Sequence, residues 1–408
     1  MKLSFIGLGK LGLPLASCLA ESGNKIIGID KSSYFVHKLN NNELPFFEPG
    51  LSEIFPNSNF VNFNDSYNGI VDDTDATIIL VNTQSKDGYS TDLVEKALEE
   101  FSLELKKTTK DYHLIVLSST VIPGSISKLI ELVESRSGKK YKKDFGFSYV
   151  PDFVKLGSVI EDFLNPELFL IGANYDKDIE LTKEIWKSFH KNNPPVRILN
   201  LQEAEVAKTS LNAYLVYKIT FCNFLGEICD KIPGVDVNKV TDAVGLDKRI
   251  SKYFFKRGTP YGGTCFPRDS EAFIKFSRSM GENPKHILFS EELNEYLYES
   301  IFNKIEKYSN IGILGISFKP KSPVTIGSPS VRIIEHLQKN NKKYYLHDCL
   351  NETFDNLKKF HSIEATGSTI DYCLNNCDII LIMHPDSRYS KINHKNVYDP
   401  WGVVITKT

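Results

Sequence analysis

The sequence predicts an α/β protein with two doubly wound parallel-sheet domains joined by a helical segment built on one long helix. Three observations predict it. Short apolar runs alternate with helix-like stretches through the first two hundred or so residues. A proline-free stretch from Gln202 to Lys231 follows, and the strand–helix alternation resumes at Ile311.

The first strand, Leu3 to Gly7, runs into Gly7-Leu8-Gly9-Lys10-Leu11-Gly12 and a helix from Leu13 to Glu21 that stops at Gly23. A second apolar run, Lys25 to Ile29, ends in Asp30, eighteen residues past Gly12. A lone GxGxxG is weak, but a strand before it, a helix after it and an acid at that distance make a dinucleotide cradle. Gly7, Gly9, Lys10, Leu11 and Gly12 would bring backbone N–H groups to a pyrophosphate at the helix N-terminus. Asp30 would accept from the adenosine ribose hydroxyls and repel a 2′-phosphate, which favours NAD over NADP. Lys31 beside it argues the other way. Strands at Ala76–Asn82, Leu114–Ser119, Phe145–Val150 and Leu168–Gly172 continue the sheet. Thr83 and Thr120 stand just beyond two of them, on the side where open sheets bind ligands, although threonines there also cap helices and make turns.

The stretch Gln202–Lys231 reads as one helix, ended by Pro233-Gly234, of about 45 Å. Such a helix links domains or builds a dimer. Glu205, Lys208 and Asn212 share one of its faces, either as a surface ion pair with a polar neighbour or as groups directed into a cleft. Further on, Tyr261-Gly262-Gly263-Thr264-Cys265-Phe266-Pro267-Arg268-Asp269 sets a cysteine just before a helix. Pro267 suits a first turn, and Asp269 and Glu271 fall within it. The positive helix end and Arg268 would make Cys265 a nucleophile; equally, it reads as a small buried residue in a turn. The second α/β unit has strands at Ile311–Ile316, Lys343–His347 and Cys377–Met383 and a helix at Ser328–Asn340. Phe318-Lys319 offers it a stacking ring and a cation.

The 408 residues carry a net charge of −2, with basic and acidic side chains scattered, which argues against nucleic-acid and membrane partners. No run of apolar residues is long enough to span a bilayer. Seven cysteines over this length fit a reducing, cytoplasmic setting, and Cys373 and Cys377 lack a second ligand pair, so no metal is expected.

Five motifs in order carry a resemblance along essentially the whole chain: Gly7-x-Gly9-x-x-Gly12, Ser119-Thr120-Val121-Ile122-Pro123-Gly124, Glu205-x-x-Lys208-x-x-x-Asn212, Gly262 to Asp269, and Gly315-Ile316-Ser317-Phe318-Lys319-Pro320. The sequence resembles the UDP-glucose/GDP-mannose dehydrogenase family of nucleotide-sugar 6-dehydrogenases. The resemblance implies a Rossmann domain for NAD over residues 1–197, a helical dimerisation domain with the catalytic cysteine over 198–298, and a Rossmann-like UDP-sugar domain over 299–408. It also implies a homodimer, and a uronic acid product for polysaccharide synthesis.

Under that resemblance Cys265 attacks an aldehyde at C6 of the sugar, and the thiohemiacetal gives up a second hydride to form a thioester, which is hydrolysed. Lys208 and Asn212 stabilise the oxyanion, and Asp269 with Thr120 positions water and moves protons. Asp152 stands where a glutamate is usual and keeps a carboxylate, one methylene shorter, that serves as a base or holds water. Substrate contacts are implied for Phe153, Val154, Lys155, Lys208, Asn212, Tyr253, Tyr261, Gly262, Phe318 and Lys319. The chain departs from the family pattern at Leu156, which removes a second carboxylate, at Pro260 and Tyr261, at Arg268, and at Ser322–Gly327, where acidic and arginine residues are usual. UDP-glucose is the expected substrate, with another UDP-hexose or UDP-N-acetylhexosamine as alternatives. Two rival readings remain: a single-step β-hydroxyacid-type dehydrogenase, against which Cys265 and the second α/β unit argue, and a non-catalytic sugar-nucleotide binder.

Overall fold

A computed structural model describes residues 1–85 and 88–405. The chain divides into two compact units, Met1–Ser210 and Leu211–Thr408, the division falling inside the helix Leu201–Cys229. The first ten strands are β1 (Lys2–Ile6), β2 (Lys25–Ile29), β3 (Phe60–Asn64), β4 (Ala76–Ile79), β5 (Gln84–Ser85), β6 (Gly88–Tyr89), β7 (His113–Leu117), β8 (Phe145–Tyr149), β9 (Phe169–Ala173) and β10 (Val196–Leu199). Eight of them form one sheet in the order β10-β9-β8-β7-β4-β1-β2-β3, and β5 and β6 pair by themselves.

The sheet is parallel except at one seam, where Ser148 and Tyr149 of β8 pair antiparallel with Ala173 and Gly172 of β9. A fully parallel sheet was expected. The connection from β8 to β9 holds only the six-residue helix Val159–Leu164 in place of a full crossover helix, and β9 runs in the opposite direction. The edge strands β3 and β10 escape the sequence reading because they hold one buried residue between them and show no long apolar run. Apolar clusters cover both faces, one around Leu3, Phe5, Leu15 and Ile26, the other around Ile79, Phe101, Ile115 and Phe147.

In the second unit β11 (Asn310–Leu314), β12 (Lys343–His347), β13 (Ile379–Ile382) and β14 (Val397–Tyr398) form a parallel sheet in the order β12-β11-β13-β14. Strand order reverses at β11, the arrangement that opens a crevice beyond the strand ends. The two sheets repeat one local device despite having no shared GxGxxG. Gly7 N–H donates to Ile29 O and Leu8 N–H to the Asp30 carboxylate at 2.7 Å; Gly315 N–H donates to His347 O and Ile316 N–H to the Asp348 carboxylate at 2.8 Å. The long helix ends at Cys229, ahead of Pro233-Gly234, because tight turns close over Lys231 and Ile232. Among the described residues, no helix is long and apolar enough to cross a membrane.

Candidate active site

The glycine turn after β1 shows what each glycine is for. Gly7 has φ +95°, and a Cβ there would stand 2.4 Å from the Leu80 carbonyl oxygen. One on Gly12 would stand 1.9 Å from the Gly7 carbonyl oxygen, so this glycine lets the helix pack on the turn. A Cβ on Gly9 would meet nothing within 4 Å. That open space is what a pyrophosphate close to the backbone requires, and the turn fits NAD on this ground. The Asp30 carboxylate joins β2 to the turn through Leu8 N–H and also accepts from Ser32 N–H at 2.8 Å. Lys31 is drawn away to Glu100, at 2.5 Å, and to the Asp65 carbonyl. The lysine's charge is therefore already paired, which weakens its argument for NADP. The Thr83 hydroxyl donates to the Thr120 carbonyl at 2.8 Å, which ties the two predicted threonines together. Lys10 is exposed and Leu11 half-buried.

Glu205, on the long helix, is fully buried and accepts from Gly124 N–H at 2.8 Å and Ile126 N–H at 2.9 Å. It caps the helix Ser125–Ser137 just after Thr120, so its place in the motif is architectural. Burial raises its pKa and the backbone N–H groups oppose that rise. Lys208, only 8 % exposed, donates through Nζ to the Asp152 main-chain carbonyl, and its ammonium lies 4.6 Å from the centre of the Phe153 ring. The Asp152 Oδ2 is buried without a hydrogen-bond partner. Burial pushes this carboxyl up to about 7, with the charge of Lys208 opposing. A carboxyl near neutrality is what a general base or acid needs. The loop after it is held by Glu48, which accepts from Gly157 and Val159 N–H. Lys155 pairs with Asp162, and Val154 and Leu156 pack on the sheet core.

In the second unit Cys265 is exposed at the N-cap of the helix Phe266–Ser279, and the Thr264 hydroxyl is 3.7 Å from its sulfur. It is not the buried turn residue of the alternative reading. Asp269, in the first turn and 2 % exposed, accepts from Asn212 Nδ2 at 2.5 Å and from Arg268 Nε at 3.3 Å.

The segment leading to the cysteine is anchored by two asparagines that the sequence reading passed over. Asn223 accepts from Gly258 N–H and donates to the Thr259 carbonyl, at 2.7 and 2.9 Å. Asn294 does the same to both sides of Tyr261, at 2.8 and 3.1 Å. Each side-chain amide supplies what a neighbouring strand would supply to an extended backbone. Tyr261, expected to contact substrate, is buried with its ring edge-on to Phe266. Gly262 packs on the Gly327 carbonyl, and the Phe318 ring packs on Gly263. Tyr253 is exposed on a loop whose carbonyls at Ile250, Ser251 and Tyr253 converge on the Lys218 ammonium. Lys319 is half-buried beyond β11. No cluster able to hold a metal ion occurs among the described residues.

Comparison with known proteins agrees along the chain. The NAD-binding, central and UDP-binding domain models of one dehydrogenase family match residues 1–190, 202–296 and 312–405. UDP-glucose 6-dehydrogenase AglM of Haloferax volcanii is 32 % identical over 393 residues, covering 94 % of this chain and 90 % of the relative. GDP-mannose 6-dehydrogenase of Pseudomonas syringae is 28 % identical over 416 residues, covering 97 % and 93 %. The solved UDP-glucose dehydrogenase of Pyrobaculum islandicum superposes with a TM-score of 0.88 at 28 % identity, covering 98 % of this chain and 94 % of that one. With its NAD cradle, its second parallel sheet and its five motifs in order, the chain belongs to the UDP-glucose/GDP-mannose dehydrogenase family, the NAD-dependent nucleotide-sugar 6-dehydrogenases.

Proposed function

We propose that this protein oxidises the C6 alcohol of UDP-glucose to the carboxylate, through a thioester on Cys265. The observation that carries the proposal is the cysteine itself, exposed at the head of a helix whose buried Asp269 is held by Asn212. UDP-glucose is favoured because relatives at 32 % and 33 % identity bear that name while the GDP-mannose relatives stand at 28 %, and because the matching C-terminal model is a UDP-binding one.

NAD⁺, when bound, accepts one hydride from C6 at each of two oxidations. The alcohol proton passes to a base, for which Asp152 is suited by its pKa near 7. The Cys265 thiolate adds to the aldehyde carbon, and Lys208 and Asn212 stabilise the resulting oxyanion. Loss of the second hydride leaves the thioester. Water, activated by Asp269 with Thr120, adds to its carbonyl and expels the thiolate, so alcohol and water become carboxylate, two hydrides and three protons. Phe153, Val154, Lys155, Tyr253, Gly262, Phe318 and Lys319 are assigned to sugar-nucleotide binding.

The same reading makes the protein a cytoplasmic homodimer. The long helix exposes Tyr214, Tyr217, Phe221, Phe224 and Ile228 at helical spacing, and Tyr296 stacks edge-on with Phe224 to extend the patch.

The test is NADH formed per sugar nucleotide consumed, over a panel of UDP- and GDP-sugars, with native protein and Cys265→Ala. Two equivalents with UDP-glucose, lost in the variant, are expected. One equivalent unaffected by the substitution would replace the proposal by a single-step dehydrogenase, and binding without turnover by a silent binder.

A further inference from the structure

The segment Ser322–Gly327, where the chain departs from its family's pattern, touches the cysteine loop directly. Gly263 N–H donates to the Gly327 carbonyl at 2.7 Å. The contact is too close for side chains on either strand. A Cβ on Gly262 would stand 2.1 Å from the Gly327 oxygen, and one on Gly327 would stand 2.5 Å from the Gly263 oxygen and 2.7 Å from its nitrogen. Gly263 and Gly327 both have positive φ, +78° and +70°, so both backbones need glycine for conformation as well as for space. A third contact comes from the same loop, where the Phe318 ring would lie 2.5 Å from a Cβ on Gly263.

The loop that grips Gly263 is itself tightly built. Phe318 N–H donates to the Val324 carbonyl at 2.7 Å and closes it. The Ser328 hydroxyl donates to Ile316 O and the Ser330 hydroxyl to Gly315 O, each at 2.6 Å. At its root, Asp348 accepts from Ile316 N–H, Ser317 N–H and the Ser317 hydroxyl. Burial works against that carboxylate, yet His384 and the N–H groups hold its pKa well below the usual range. A stiff loop therefore runs from the carboxyl end of β11 to a backbone clamp two residues before Cys265.

We infer that Gly327 is a positioning residue for Cys265, through which the Phe318–Lys319 loop sets the place of the sulfur. This rests on the reading of Cys265 as the nucleophile. Because Gly262, Phe318 and Lys319 are also assigned to the sugar nucleotide, the clamp can change the KM of both oxidations, but only the oxidation that passes through the thiohemiacetal depends on where it sets the sulfur. A displacement of about 1 Å at a reacting atom can cost on the order of a hundredfold in rate.

The test compares Gly327→Ala with Gly281→Ala. Gly281 has φ +83° but nothing within 4 Å of an added Cβ, so it matches the backbone strain without touching the cysteine loop. For Gly327→Ala the expected result is a fall from two NADH per sugar nucleotide towards one. The aldehyde should become trappable by hydroxylamine, with the KM for NAD⁺ unchanged, while Gly281→Ala keeps two. Equal stoichiometry in the two variants would overturn the inference. Should no sugar nucleotide be turned over even by native protein, the functional reading fails and the clamp is judged by alkylation of Cys265 with iodoacetamide. A rate changed about tenfold or more in Gly327→Ala but not in Gly281→Ala supports it, the same rate in both refutes it. If Gly327→Ala does not fold, Ser328→Ala, which loosens the same turn, is read by the same measurements.

Discussion

Lys208 donates its ammonium proton to the main-chain carbonyl of Asp152 and leaves that residue's buried carboxyl oxygen without a partner. The charge of Lys208 favours the ionised carboxylate. Burial dominates, however, and the carboxyl sits near 7 rather than at 3.8.

Its pH dependence follows. Above about 7 the group is ionised and can accept a proton, so kcat/KM should rise with pH through that value. Asp152→Asn should abolish this limb and lower the rate by about 10²–10⁴. Stability moves the other way. The folded state holds the proton that the unfolded chain releases near 3.8, so this group's contribution is fully present below that value and is lost as pH rises through about 7. Melting curves between pH 4 and 8 should therefore flatten in the variant.

Two glycine substitutions should block NAD for different reasons. Gly9→Ala meets no protein atom, so its melting temperature should match the native one while the KM for NAD⁺ rises at least tenfold. Gly12→Ala must displace the Gly7 carbonyl and should lose stability by about 1–3 kcal/mol or more, as overpacking does. Thermal melts beside NAD⁺ titrations separate the two.

The expected preference for NAD⁺ over NADP⁺ draws on Asp30 and on Lys31 being paired to Glu100. NADP⁺ should be a poor substrate for native protein. Glu100→Ala, which releases Lys31, should raise kcat/KM for NADP⁺ several-fold and leave that for NAD⁺ unchanged.

Glu205 accepts two backbone N–H groups beyond the Ser119–Thr120 segment. Glu205→Ala strands both, at about 1–3 kcal/mol for each group left unsatisfied. A clear fall in melting temperature is expected, and Glu205→Gln, which keeps one acceptor, should recover part of it.

The apolar stripe on the long helix should be covered by a second copy. Phe221→Glu together with Tyr214→Glu should halve the mass measured by light scattering on a sizing column. An unchanged mass would remove the helix from the interface.

Much of this was legible in the chain. The GxGxxG turn, Asp30, the long helix and the cysteine at a helix start announce themselves because each is a local pattern of glycine spacing, helical period or capping residue. Asn223, Asn294 and Glu48 gave no such signal, since an asparagine or glutamate on a helix or loop reads as solvated surface until a distant backbone is placed against it. Tyr261 looked available to a substrate and is buried, for the same reason. The antiparallel β9 went unseen because strand direction depends on how the connecting chain returns, which apolar runs do not encode.

What the sequence by itself determined is the alternation of strands and helices, the NAD cradle and the placing of a cysteine at the head of a helix, all set by residues within a few positions of one another. Only the tertiary structure decided how the chemistry is tuned. Asp152 near neutrality, Asp269 held by Asn212, and Gly263 clamped by Gly327 join residues some sixty positions apart. Burial and close contact at that separation have no local signature, and they exist only once the sheets have formed.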